Sequence, residues 1–202
     1  MNRMLLTWAA AIALMAPAAC RTGVADETTP QTRKEKATRT PDVVYVPTPH
    51  DVVDKMLDLA SVKKDDVVYD LGCGDGRIVV MAAKRCGCRA TGFDIDPKRV
   101  EEARKNIEKN GVGELVTVEQ EDIFKLDLSK ASVVTLYLLP SLNVKLIPQL
   151  EKLKPGSRIV SHDFSMAGVK PEKVVELKSN GDGVSHTLYF WRTPLKKDKD
   201  VE

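Results

Sequence analysis

The stretch Val67-Val68-Tyr69-Asp70-Leu71-Gly72-Cys73-Gly74-Asp75-Gly76-Arg77 decides the fold predicted for this chain of 202 residues. A short β-branched and aromatic run ends at Asp70, three glycines follow at alternate positions, and a helical apolar pattern begins at Ile78. A strand–glycine turn–helix unit of this kind directs backbone N–H groups and the helix N-terminus at a ligand. The pattern predicts a ligand-binding turn at the carboxyl end of the first strand of an α/β sheet.

Strand and helix patterns alternate on both sides of this turn. Apolar periodicity predicts helices over about 49–60, 78–85 and 97–110, with a fourth beginning at Ser141, and Thr48 is a candidate N-cap of the first. Strands are predicted at 67–69, 90–93, 115–118, 132–139 and 158–160, and a hairpin at 174–177 and 187–191. The fold class is therefore α/β, with a mostly parallel seven-stranded sheet, helices on both faces and a C-terminal antiparallel hairpin.

The glycine turn differs from the fingerprint of a dinucleotide site. That fingerprint requires a third glycine at position 77, which is Arg77 here, so a nicotinamide cofactor is disfavoured. Asp70 and Asp75 would repel a pyrophosphate and suit a ligand that is positively charged at this point. S-adenosyl-L-methionine carries an α-ammonium group and a sulfonium and has no phosphate, and it is the cofactor that the turn predicts.

Acidic residues close three successive strands, and each has a predicted contact with this cofactor. Asp70 would accept from the ammonium group, and Asp94 would take the ribose hydroxyls, with Ile95 beside it covering an adenine face. Asp122 would accept from the adenine amino group, and the backbone N–H of Ile123 would reach a ring nitrogen. The predicted loop that holds the methionine end contains the three glycines Gly72, Gly74 and Gly76.

Residues 66–164 resemble the class I methyltransferase fold, and three short segments resemble one particular group of these enzymes. The segments 45–49, 135–143 and 160–164 read Tyr-Val-Pro-Thr-Pro, Thr-Leu-Tyr-Leu-Leu-Pro-Ser-Leu-Asn and Val-Ser-His-Asp-Phe. They are similar to the protein-lysine methyltransferases that act on the mitochondrial adenine nucleotide translocase and ATP synthase c subunit, and to their bacterial relatives. The resemblance covers about 42–194 and implies a Rossmann-like class I methyltransferase fold and methyl transfer to protein lysine.

The acceptor side of the site is predicted less sharply. Tyr137 and Asn143 flank the end of the fourth strand, where the ligand crevice of an open α/β sheet lies, and are the candidate catalytic residues. Tyr137 is equally well explained as a core aromatic. The resemblance implies that Tyr45 and Thr48 close over the methionine end of the cofactor, while a structural role is favoured for His162. Two alternatives stay open: a small-molecule or other side-chain methyltransferase, and a non-catalytic adenosylmethionine-binding module.

The charge is distributed unevenly along the chain. Residues 1–41 carry six basic and three acidic residues, net +3, whereas 42–194 carry 22 and 23, net −1, and 195–202 carry three of each. A body with no basic surplus disfavours sequence-independent nucleic-acid binding. The predicted organisation is a signal-like or membrane-anchor segment at 1–20, a solvated linker at 21–41, the methyltransferase domain at 42–194 and a charged tail at 195–202.

The first 20 residues leave the localisation open. A positive start, the apolar run Leu5 to Ala16 and Cys20 are typical of a secretory or lipoprotein signal. Export would separate a methyltransferase from its cytosolic cofactor, so an uncleaved anchor that leaves the body facing the cytoplasm is the alternative. Such an anchor would be a membrane tether, and it fits the membrane-protein substrate that the family resemblance implies. The cysteine spacing predicts free thiols, with neither a disulfide framework nor a metal site.

Overall fold

The structure is a computed structural model, and it describes Thr40 and residues 44–198. The predicted signal or anchor segment, most of the predicted linker and the end of the charged tail lie outside the described residues. Among those that are described, no helix is long and apolar enough to cross a bilayer.

Within the described part of the chain, seven strands form one sheet, and four α-helices connect or flank them. The strands are β1 Val67–Leu71, β2 Arg89–Asp94, β3 Val116–Gln120, β4 Val133–Leu136, β5 Arg158–His162, β6 Lys173–Lys178 and β7 Ser185–Arg192. The helices are α1 His50–Leu59, α2 Arg77–Cys86, α3 Pro97–Asn110 and α4 Pro140–Leu150, with a 3₁₀ turn at Ile123–Lys125. The predicted elements are all present, and their ends differ from the predicted ones by a few residues.

The strand order is β3-β2-β1-β4-β5-β7-β6. Strands β1 to β5 pair in parallel, whereas β7 pairs antiparallel with both β5 and β6. The predicted parallel sheet with a terminal antiparallel hairpin is confirmed. Because β1 to β5 run in one direction, their carboxyl ends meet along a single edge, and the order reverses between β1 and β4, where open α/β sheets bind ligands.

Two helices begin differently from the prediction. Thr48 does not cap α1, whose N-cap is Pro49 without a side-chain hydrogen bond, and Ser141 does not cap α4, whose N-cap is Leu139. By contrast, the Asp96 side chain caps α3 by accepting from the Lys98 N–H. Pro140, the first residue of α4, has no N–H to satisfy and a φ that is preorganised for a helix.

The apolar residues form two clusters on opposite faces of the sheet. Adjacent residues on a strand point to opposite faces, and Val133 and Val134, like Val160 and Ile159, belong to different clusters. One cluster packs under α1, α2 and α3, and the other packs under α4. Cys73, Cys86 and Cys88 are free thiols, in agreement with the prediction.

Candidate active site

A cavity of about 500 Å³ opens at the carboxyl ends of β1, β2 and β4. Nine of the twelve site residues predicted from the sequence lie on its wall, together with residues that the prediction left out. The predicted residues on the wall are Tyr45, Thr48, Asp70, Gly72, Asp94, Ile95, Asp122, Ile123 and Tyr137, and the residues between and around them include Cys73, Asp75, Arg77, Asp96, Arg99 and Phe164.

Asp70 is the most unusual charged group of this wall. Its side chain is buried, and Thr135 Oγ1 donates a hydrogen bond of 2.7 Å to Asp70 Oδ1. Asp70 Oδ2 has no hydrogen-bond partner among the described residues. Burial, and then the nearby charges of Asp94 and Asp75, raise the pKa of Asp70 to about 7. A buried oxygen without a donor is costly, and a cationic ligand group in the cavity would satisfy it, as the α-ammonium group of S-adenosylmethionine would.

Asp94 differs because backbone donors already occupy both of its oxygens. The Gly74 N–H donates to Asp94 Oδ2 and the Asp96 N–H donates to Oδ1, each at 2.9 Å. Burial nevertheless raises the pKa of Asp94. Each carboxylate oxygen has a second lone pair, so Asp94 can hold the glycine loop and still accept from ligand hydroxyls.

Of the three loop glycines, only Gly72 lies on the wall. A Cβ at Gly74 would lie 2.0 Å from Tyr45 Cε2, and a Cβ at Gly76 would lie 2.9 Å from Ala103 Cβ on α3. All three glycines have positive φ angles, which glycine adopts without strain. Gly74 therefore leaves room for the Tyr45 ring, and Gly76 leaves room for the close approach of α3. Both glycines were predicted to contact the cofactor, but neither of them lies on the cavity wall.

Two arginines hold the segment that carries Tyr45 and Thr48, and the sequence prediction missed both. Arg77 pairs with Asp75 at 2.7 Å and donates to the Thr48 carbonyl at 2.8 Å. The Arg99 guanidinium lies 4.7 Å from the centroid of the Tyr45 ring. Burial and the adjacent Asp75 raise the pKa of Tyr45 to about 12. The sequence contained a signal for one of these two arginines, because Arg77 stands where the dinucleotide fingerprint has its third glycine.

The predicted adenine end lies on the 3₁₀ turn after β3. Asp122 caps this turn by accepting from the Phe124 N–H at 3.1 Å. Gln149 Nε2 donates to the Ile123 carbonyl at 3.2 Å, which ties the turn to α4. Asp122, Ile123 and Ile95 therefore reach the same end of the cavity from two neighbouring strands.

The opposite end is aromatic and contains Tyr137 and Phe164. The Tyr137 ring lies 3.9 Å from the His162 ring and 6.1 Å from the Phe164 ring, centroid to centroid. Burial and the charge of Asp163 raise the pKa of the Tyr137 hydroxyl. The predicted strand over 132–139 is shorter in the structure because residues 137–139 leave the sheet here to form the cavity wall.

Asn143, the other predicted catalytic residue, does not lie on the cavity wall. It is fully buried on the inward face of α4. Its Nδ2 donates to the Phe164 carbonyl at 3.1 Å and to Ser161 Oγ at 3.3 Å. Asn143 supports the segment that carries Phe164 from behind the wall.

Thr48 lines the cavity and bonds to a residue far away in the chain. Its Oγ1 lies 3.1 Å from Nδ1 of His162, a residue with no exposed surface. His162 in turn contacts His186, which the sequence prediction did not consider. Local sequence patterns contain no signal for such a pairing.

Comparisons with known proteins agree with this geometry. The ANTKMT methyltransferase domain family matches residues 70–173. A protein-lysine N-methyltransferase of Saccharolobus islandicus is 47% identical over 153 residues, which are 75% of this chain and 94% of that protein. The adenine nucleotide translocase lysine N-methyltransferase of Mus musculus is 35% identical over 66% of this chain, and the match spans 58% of the mouse protein.

A solved structure shows the same fold with a ligand of the expected class. It is described as an RNA methyltransferase from Salinibacter ruber in complex with S-adenosyl-L-homocysteine, the demethylated form of the cofactor. It is 50% identical to this chain with a TM-score of 0.71, and the match covers 78% of this chain and 99% of that one. With the sheet topology and the unpartnered Asp70 oxygen, these findings show that the chain is an S-adenosylmethionine-dependent methyltransferase and belongs to the ANTKMT methyltransferase domain family.

Proposed function

We propose that this enzyme transfers the methyl group to the side-chain nitrogen of lysine in a protein substrate. The observation that carries the proposal is the charge of the cavity wall. Five carboxylates line it, and its two arginines are each paired with an acidic side chain; these residues are Asp70, Asp75, Asp94, Asp96, Asp122, Arg77 and Arg99. Such a wall attracts a lysine ammonium and repels a phosphate.

The cofactor would be held along the cavity by the residues that the sequence singled out. The Asp70 oxygen without a partner suits the ammonium group, and Asp94 suits the ribose hydroxyls. Asp122, Ile123 and Ile95 suit the adenine. When bound, S-adenosylmethionine supplies an electrophilic methyl group on a sulfonium. The Tyr45 ring, held against Gly74, would exclude water from the loop side of this ligand.

The aromatic end of the cavity would receive the lysine. Tyr137 and Phe164 would line the apolar stem of the side chain, and the Tyr137 hydroxyl would hydrogen-bond to its nitrogen. The raised pKa of Tyr137 keeps the hydroxyl protonated near neutral pH. Aligning an amine with the methyl group at near-attack distance supplies much of the rate enhancement in such a transfer.

The decisive experiment measures where the methyl group goes. Purified enzyme is incubated with labelled S-adenosylmethionine, lysine-containing peptides, the same peptides with acetylated lysines, and total RNA. We expect label on the lysine nitrogen, identified by mass spectrometry, and none on the acetylated peptides. Label in small molecules, or cofactor binding without any transfer, would support the alternatives left open by the sequence.

A variant pair tests the acceptor end of the cavity. Tyr137→Phe keeps the ring and its stacking but removes the hydroxyl, and we expect transfer to fall about tenfold while affinity for S-adenosylmethionine is retained. Tyr189→Phe is the matched control, because Tyr189 stacks on Trp191 and does not line the cavity. Equal activity in both variants would contradict the acceptor role of Tyr137.

RNA is the second candidate acceptor, because the Salinibacter ruber protein is described as an RNA methyltransferase. The acidic wall and the net charge of −1 over 42–194 argue against a polyanion at this cavity. Label that ribonuclease removes and protease leaves would establish RNA as the acceptor and refute the lysine proposal.

We further propose that the acceptor is a membrane protein and that residues 1–20 tether the enzyme beside it. Val44, Val46 and Leu139 line the cavity and are 89%, 56% and 44% exposed. An apolar rim of this kind suits an apolar acceptor segment. Membrane fractionation of cells expressing the full chain and a chain starting at residue 42 tests the tether. Recovery of a mature chain beginning near Cys20 in an exported fraction would refute it.

A further inference from the structure

A chain of hydrogen-bonding side chains leads from the cavity to the protein surface. Thr48 Oγ1, on the cavity wall, lies 3.1 Å from His162 Nδ1. His162 Nε2 lies 2.8 Å from His186 Nδ1. His186 Nε2 lies 3.1 Å from Asp182 Oδ2, and the Asp182 side chain is 40% exposed. Three links therefore connect a buried hydroxyl to a solvent-exposed carboxylate.

The groups at the two ends of this hydrogen-bonded series, Thr48 and Asp182, determine the direction of its hydrogen bonds. Asp182 has a lowered pKa, because it accepts from the Val184 N–H, so it is an acceptor near neutral pH. His186 Nε2 must then carry a proton and donate to it. If both rings are neutral, His186 Nδ1 accepts from His162 Nε2–H, and His162 Nδ1 accepts from the Thr48 hydroxyl. Each group thus donates towards the surface.

The charge state of the rings fits this direction. Burial lowers the pKa of His162 to about 4, and the charge of the adjacent Asp163 only partly opposes this effect. His162 is therefore neutral near pH 7 and holds no resident positive charge. The pKa of His186 is raised by Asp163 and Asp182 against the effect of burial. Protons therefore bind more readily at the surface end of the chain than at its buried centre.

A lysine acceptor creates the need for such a path. Near pH 7 only about one lysine in 2,500 is a free amine, given a pKa of about 10.4. The nitrogen must lose a proton before its lone pair can attack a methyl group, and the cavity end beside Tyr137 and Phe164 is aromatic. A proton released there needs an acceptor that leads out of the protein.

We propose that Thr48, His162, His186 and Asp182 form a proton exit path for the acceptor lysine, an inference that rests on the proposed lysine substrate. The lysine N–H bond breaks, and its proton passes to Thr48 Oγ1 as the Thr48 proton moves to His162 Nδ1. The His162 Nε2 proton moves to His186 Nδ1, and the His186 Nε2 proton moves to Asp182 and then to solvent. One proton leaves the ammonium, one reaches solvent, and both rings end neutral in the other tautomer.

Asp163 lies beside the centre of this path. Its Oδ2 is 3.2 Å from both His162 Nε2 and His186 Nδ1, and its φ of 57° is in the left-handed region that a non-glycine residue rarely adopts. A carboxylate at this point stabilises positive charge on either ring while a proton passes. The titratable groups that face the two rings are Asp163, Asp182, Tyr137 and the rings themselves.

The same three residues, His162, Asp163 and His186, have the composition of a metal site. The observations favour hydrogen bonds, because the ring nitrogens are 2.8 Å apart. Neighbouring nitrogen ligands of tetrahedral zinc lie about 3.3 Å apart, given Zn–N distances of about 2.0–2.1 Å. A metal ion is therefore an outcome that the test has to distinguish.

The test compares pH profiles of single-turnover methyl transfer to a lysine peptide. His186→Asn interrupts the path outside the cavity, and Thr48→Val removes only its first hydroxyl. We expect both variants to lose at least about tenfold in rate at pH 7. His186→Asn, which lies outside the cavity wall, should show little change in cofactor affinity. The deficit should shrink towards pH 10, where the lysine loses its proton in solution. His50→Asn is the matched control, because His50 is exposed on α1 and outside the path.

Each other outcome overturns the proposal in a recognisable way. If the rate deficit of both variants is constant across pH, or if there is no deficit, the hydrogen-bonded residues have a structural role and do not carry the proton. Activity of the wild type that is lost on dialysis against a chelator and restored by Zn²⁺ assigns the three residues to a metal. If the wild type transfers no methyl group to lysine at any pH, the proposed function fails and the exit path fails with it. Thermal melting of each variant identifies a loss that is due to unfolding.

Discussion

Replacing Asp70 by Asn should stabilise the enzyme without its cofactor at alkaline pH and weaken its response to the cofactor. The folded state holds the Asp70 carboxylate in a buried position with one oxygen unpartnered. Asn has nearly the same shape and no charge, and its Oδ1 can still accept from Thr135. The variant therefore removes the buried charge while leaving the local packing in place.

The magnitude follows from the pKa of Asp70. A rise from the ordinary 3.8 to about 7 corresponds to a destabilisation of about 4 kcal/mol for the ionised form, at about 1.4 kcal/mol per pH unit. This cost is absent below pH 3.8, increases between 3.8 and 7, and is constant above. Between pH 5 and pH 8.5, the free energy of unfolding of Asp70→Asn should therefore gain roughly 2–3 kcal/mol relative to the wild type.

The assay is urea denaturation at pH 5 and pH 8.5, with and without S-adenosylmethionine. A ligand at 100 times its Kd stabilises a protein by about 2.7 kcal/mol, and the wild type should show a gain of this size. The variant should show much less, because the ammonium group has lost its buried carboxylate. Asp65→Asn is the matched control, since Asp65 is an exposed acid five residues earlier, and it should change neither quantity.

Two results would refute the reasoning. Parallel pH dependences of stability in the wild type and Asp70→Asn would show that Asp70 has no raised pKa. An unchanged stabilisation by S-adenosylmethionine in the variant would show that Asp70 does not contact the ammonium group.

Three other substitutions should separate packing, loop and charge effects. Gly74→Ala places a Cβ 2.0 Å from the Tyr45 ring, whereas Gly111→Ala has a similar φ and meets nothing within 4 Å, so only the former should weaken cofactor binding, measured by calorimetry. Asp94→Asn turns one acceptor of a backbone N–H into a donor, and should lower both stability, by about 1–3 kcal/mol, and cofactor affinity. Asp66→Asn removes the negative charge that pairs with the partly buried Arg158 and should cost about 1.5–3 kcal/mol at pH 7, the range for hydrogen bonds to charged groups. Burial raises the pKa of Asp66, but the hydrogen bonds that its carboxylate accepts outweigh burial and lower this pKa. The difference in free energy of unfolding between the wild type and Asp66→Asn, measured by urea denaturation, should therefore disappear as the pH falls through the pKa of Asp66.

The fold was predictable because its signals are local. The strand–turn–helix pattern around Asp70 and the cap at Asp96 each depend on residues within a few positions. Parallel pairing of consecutive strands then follows from the short helical connections. The predicted cofactor acids Asp70, Asp94 and Asp122 sit at strand ends, and strand ends of a parallel sheet meet at one edge, so the convergence of these three acids on one cavity also followed.

The acceptor side was less predictable because its contacts are distant in sequence. Thr48 has the sequence context of a helix cap, but it bonds to His162, 114 residues later. Asn143 follows the fourth strand closely enough to suggest the crevice, yet the rotation of α4 turns it towards the core. Arg77 is within the predicted loop, but its contact with the Thr48 carbonyl depends on a segment 29 residues earlier. Periodicity carries no information on such pairings.

The carboxylates of Asp70 and Asp94, at neighbouring strand ends, have different tasks, although the sequence presents them alike. Both oxygens of Asp94 accept backbone N–H groups, so this residue holds the glycine loop in shape before any ligand binds. Asp70 accepts one hydrogen bond, from Thr135, and keeps its other oxygen without a donor, so its charge is only partly stabilised until a cation enters. A preformed loop lowers the entropy lost on binding, and an unsatisfied carboxylate selects a positively charged ligand. The stability of the two Asn variants should therefore change in opposite directions, although both should bind the cofactor less tightly.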